Sequence, residues 1–173
     1  MASSSRPEVW LRGPVQGFPP ELMPVAHSLL QVREEIDATV QRLSEAQFRV
    51  RPGGAASVGF HLTHLAGSLD RLFTYARGES LSYAQTRALD AEARAGSVDE
   101  SSAALLASAR DAIARALDQL RATPVDTLHE PRRVGRAGLP STVLGLLFHA
   151  AEHAQRHAGQ MVTTAKIVRD LRT

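Results

Sequence analysis

The chain has 173 residues, 43% hydrophobic and 22% charged, with a formal net charge of +2 and no cysteine. That length fits a single soluble domain with its own core. The absence of cysteine excludes disulfides, thiolate metal ligands and a catalytic thiol of the protein's own. No Lys/Arg cluster interleaved with aromatics occurs, so nucleic-acid binding is not expected.

The N-terminal MASSSRPEVWLRG has no hydrophobic run, and no segment is long and apolar enough to span a bilayer. The expectation is a cytoplasmic protein, with residues 1–18 as an N-terminal arm and 19–173 as one domain. After Pro19-Pro20, Val25, Leu29, Val32, Ile36, Val40 and Leu43 recur at three- and four-residue spacing, the stripe of an amphipathic helix. RPGG at 51–54 breaks it. Ser57 then caps a second helix whose stripe is Val58, Leu62, Leu65, Leu69 and Leu72. Residues 78–96 form a connection with room for a short helix. Ser97 and Glu100 fit a capping box for a third helix, striped by Leu106, Ala109, Ile113, Leu117 and Leu120. A loop or small hairpin occupies 124–140. Pro140-Ser141-Thr142 begins a fourth helix, striped by Leu147, Ala151, Ala154, Ala158, Met161, Ala165 and Val168. One stripe on each of four long helices predicts an all-α four-helix bundle, with a short irregular or hairpin segment between the third and fourth.

HAAEHAQRHAGQ, residues 149–160, places His149, His153 and His157 one turn apart on the fourth helix, and GFHLTHLAGS places His61 and His64 on the second. Five of the seven histidines thus fall in two segments. A polar helix face is the plain explanation of one such segment. Two suggest a metal site, because imidazoles at i and i+4 reach one cation. Eight residues rise about 12 Å, so three in a row cannot share one tetrahedral centre. Two adjacent histidines of the fourth helix plus one of the second make a three-His site with an open position. By helical wheel alone His61 sits closer to the apolar stripe than His64.

HAAEH also fits H-x-x-E-H of inverted zinc proteases, with Glu152 as base. Those enzymes take an acidic ligand far downstream, whereas only twenty residues follow His153 and Asp170 is their one carboxylate side chain. A di-iron bundle is excluded too, for want of Glu-x-x-His on two helices. Arg71, Arg132, Arg133 and Arg136 are candidates for a substrate carboxylate but are read as solvated surface.

HLAGS from His64 and HAAEHAQRHAGQ together resemble the second- and fourth-helix motifs of the DinB/YfiT-like superfamily of four-helix proteins, over about Glu21 to Val168. The resemblance implies a divalent metal, nickel or zinc, on His64, His153 and His157. His149 would lie behind the ligands or face substrate, Gln160 would support His157, and His61 is the alternative to His64. It further implies a homodimer and a small-molecule substrate. Some relatives activate a low-molecular-weight thiol such as bacillithiol or mycothiol for sulfur transfer or isomerisation. The competing expectation is a non-catalytic bundle acting through protein contacts in a stress response.

Overall fold

The computed structural model describes residues 6–94 and 100–171. Four long helices, α1 (Met23–Val40), α3 (Val58–Ala76), α5 (Ser102–Ala122) and α6 (Val143–Asp170), carry the expected stripes. Two short ones lie between them, α2 (Glu45–Arg49) and α4 (Tyr83–Arg94). The antiparallel hairpin of β1 (Pro131–Val134) and β2 (Leu139–Thr142) precedes α6, with Val134 opposite Leu139. Pro140 and Ser141 therefore belong to a strand rather than to the start of the last helix. Thr142 caps that helix by accepting from the Gly145 N–H.

α1 and α3 each pack against both α5 and α6, which closes a four-helix bundle. The stripe residues Val25, Leu29, Val32, Ile36 and Val40 are buried, as are Leu62, Leu65, Leu69, Ile113, Leu120, Leu147 and Met161. Leu43 lies beyond the end of α1 and is only partly buried against this core. The expected Ser97 box falls on residues outside the described ones; within them Ser101 caps α5 through the Ala104 N–H.

Two local devices position the site. Ser44 and Gln47 form a capping box that starts α2, whose Phe48 is fully buried against α3. Gly59 makes that approach possible, since a Cβ there would stand 2.7 Å from Phe48 Cε1. Ser82 and Gln85 cap α4 reciprocally, backbone to side chain. The N-terminal arm lies on α1, burying Val9 and Phe18 and forking Arg12 onto Glu34. No helix of the described residues is long and apolar enough to cross a membrane.

Candidate metal centre

Residues 61 and 64 occupy adjacent turns of α3, and 153 and 157 adjacent turns of α6, where these two helices pack together. Ala150, Ala154 and Ala158 are buried on α6, and their single methyl groups let α3 approach closely enough for the rings to meet. His64, His153 and His157 each offer a ring nitrogen, and these three atoms lie within 4.8 Å of one another. The Nε2 atoms of His64 and His153 are 3.0 Å apart. The ring of His157 lies with its centroid 4.5 Å from that of His64 and 4.6 Å from that of His153. Phe60 stacks parallel to His64 on one side.

His61 is more buried than His64, in line with its place on the helical wheel, and sets its Nδ1 3.0 Å from His157 Nδ1. That contact leaves Nε2 of His157 for another partner. Gln160 is exposed and does not stand between those two rings; it lines a depression of about 560 Å³ with Phe60, His61, His157 and Ile167. His149 is exposed, its Nδ1 2.8 Å from Glu152 Oε1.

Electrostatically His61, His153 and His157 are held toward the neutral imidazole. Burial, reinforced by His64, His153, His61 and Arg156, pushes His157 down to about 4. Burial and the neighbouring His64 also lower His61, and burial is again the first cause for His153. Neutral imidazole is the ligand form.

Glu92 of α4 is the functional residue that the sequence did not reveal. It is buried, with Oε2 3.0 Å from His64 Nδ1. Arg71 forks onto it, Nη1 to Oε1 at 2.7 Å and Nη2 to Oε2 at 3.2 Å. Arg71 is therefore buried and paired, contrary to its reading as solvated surface. Burial pushes the Glu92 carboxyl up, but the hydrogen bonds from His64 and Arg71 outweigh this and hold it below its usual range. Gly67 provides the room, since a Cβ there would run into the Glu92 carboxylate. Arg132 is engaged on Ala76 O at the end of α3, and Arg133 on Gly138 O within the hairpin.

The donor set fits a divalent cation. Three imidazole nitrogens within 4.8 Å of one another are the donor type and number of a three-His site with an open position. One polar atom at the cluster, the buried Nδ1 of His153, has no hydrogen-bond partner. None of the three nitrogens belongs to an ion pair with a carboxylate that would compete for a cation; the Glu92 contact uses the other ring nitrogen of His64.

No curated protein sequence matches the chain. The sequence profile of the DinB superfamily matches residues 28–161, from the first turns of α1 past the last of the clustered histidines, and the chain belongs to that superfamily.

Proposed function

We propose that this protein is a metal-dependent enzyme in which His64, His153 and His157 hold one nickel or zinc ion and a thiol or water serves as nucleophile, most specifically a thiol S-transferase. The convergence of three imidazoles from two helices on one point carries this reading. Bound there, a cation keeps its full charge and makes a water or thiol nucleophilic at neutral pH.

The remaining roles fall to the chain's own residues. The depression beside His61 and His157 has apolar walls in Ala55, Ala56, Phe60 and Ile167, which suit an uncharged part of a small substrate. Gln160, Thr163 and Thr164 supply its hydrogen-bonding groups. With no cysteine in the chain, a thiol would arrive as co-substrate.

The test is metal content per chain by mass spectrometry, on untagged protein purified without chelator, followed by a screen of low-molecular-weight thiols against electrophiles. Near-stoichiometric nickel or zinc, lost in His64→Ala, His153→Ala and His157→Ala but kept in His61→Ala, supports the assignment. No metal in the wild type, even after reloading at neutral pH, overturns it in favour of a non-catalytic bundle.

A further inference from the structure

Among the described side chains of α4, residues 83–92, only Glu92 is buried. A surface helix ordinarily docks through an apolar stripe. This one packs on α3 through polar contacts instead: Gln85 Nε2 donates to Asp70 Oδ2 and Thr74 Oγ1, and Glu92 meets Arg71 and His64. A buried carboxylate is a costly way to attach a helix unless its partners are fixed. Its partners here are one arginine and one of the three clustered histidines.

The geometry also decides a tautomer. An ionised carboxylate only accepts hydrogen bonds, so the 3.0 Å contact requires the proton on His64 Nδ1. In the neutral form, the one that ligates a metal, the lone pair of His64 is then on Nε2, the atom that faces His153. Arg71 holds both carboxylate oxygens, including the one that meets His64, and Gly67 lets the carboxylate descend onto α3.

We propose that Glu92 is the positioning residue of the metal centre: it fixes His64 in the Nδ1–H tautomer with Nε2 aimed at the cation, and it thereby couples metal binding to the docking of α4. The proposal rests on the reading that His64, His153 and His157 hold a metal. Coupling of this kind is reciprocal, so whatever Glu92 adds to metal affinity the metal returns to α4 docking. A helix with no buried apolar side chain among its described residues opens easily, which makes that return measurable.

Three measurements on the untagged full chain test it, with zinc alone as the probe. Zinc affinity by chelator competition should weaken about 10–100-fold in Glu92→Gln, the usual effect of losing a carboxylate behind a ligating histidine. Histidine ring ¹H–¹⁵N spectra of the metal-free wild type should show His64 protonated on Nδ1, and Glu92→Gln should lose that preference. Amide exchange over residues 83–92 should slow several-fold when zinc is added to the wild type and not respond in Glu92→Gln.

A merely structural Glu92 would move neither the tautomer nor the zinc response of α4. The wild-type spectra and exchange need no variant, so a misfolded Glu92→Gln does not protect the idea. His64 protonated on Nε2, or α4 exchange indifferent to zinc, overturns it. If His64→Ala and His153→Ala lose zinc while Glu92→Gln binds as the wild type does, the positioning role alone fails. If those histidine variants bind zinc like the wild type, the metal reading fails and takes the proposal with it.

Discussion

His64 Nε2 and His153 Nε2 stand 3.0 Å apart although the two residues are 89 positions apart in the chain, on different helices. Two bare lone pairs do not approach so closely without something positive between them. Glu92 claims the Nδ1 proton of His64. The contact is therefore completed either by a proton on one of the two Nε2 atoms or by a cation between them. The same joint ties α3 to α6, so what occupies it bears on the stability of the whole bundle.

Zinc should accordingly raise the melting temperature, and a chelator should reverse the rise. A ligand at 100 times its Kd adds about 2.7 kcal/mol to the folded state. For a domain of this size each kcal/mol is about 2–4 °C, so the expected rise is about 5–10 °C. Thermal melts with and without zinc check it, and His153→Ala should show no rise. An equal rise in that variant would place the bound zinc elsewhere.

The metal-free protein should lose stability as the pH falls below neutral. The unfolded chain takes up protons on these histidines near their ordinary 6.5, whereas burial, with His64 and the other neighbours, keeps His157 unprotonated in the fold down to about 4. Between those values the unfolded state binds more protons, so stability declines with falling pH. His61 and His153, lowered for the same first reason, add to the decline in the same direction. Melting temperatures measured from pH 8 to 4.5 should be level above about pH 7, fall through the acid range, and fall less steeply in His157→Leu. A flat profile from pH 7 to 5 would contradict this account.

The four long helices were legible because each keeps one apolar stripe, and the stripe residues from Val25 to Val168 are nearly all buried. The hairpin was legible from Pro and Gly. The short helix expected within 78–96 forms as α4, but its docking was not legible, because the attachment runs through Gln85 and Glu92 rather than through an apolar stripe. The wheel placed His64 on the solvent side of α3 for the same reason: that side is covered, but by α4 and its carboxylate. Arg71 looked like surface because its partner lies 21 residues away in a helix with no apolar signature. Only the spacing of His64, Gly67 and Arg71 along one face hinted that something descends there.

Two glycines of α3 should respond differently to alanine. At Gly59 the new methyl would meet the ring of Phe48, which is fully buried and cannot swing away. Overpacking of that kind costs about 1–3 kcal/mol, read in a denaturant midpoint. At Gly67 it would meet the ends of two flexible side chains, Glu92 and Arg71, the latter at 2.7 Å from Nη1. Gly67→Ala should therefore leave the global midpoint nearly unchanged and speed amide exchange in residues 83–92. A large global loss at Gly67 with none at Gly59 would reverse the assignment of which contact is rigid.

The H-x-x-E-H match makes one further prediction, because it assigns the metal to His149 and His153 with Glu152 as base. In the fold, Glu152 instead accepts from Arg156, at 2.7 and 2.9 Å, and lies 2.8 Å from His149 on the exposed side of α6. Burial pushes its carboxyl up, yet the hydrogen bonds from Arg156 and His149 together outweigh that and hold it below its usual range. An ion-paired surface carboxylate is poorly suited to take a proton from a nucleophile, and such pairs contribute about 0–1 kcal/mol to stability. His149→Ala and Glu152→Gln should thus keep wild-type metal content and nearly wild-type melting. Loss of metal in either, with retention in His157→Ala, would move the centre one turn toward the N-terminus of α6 and away from His64.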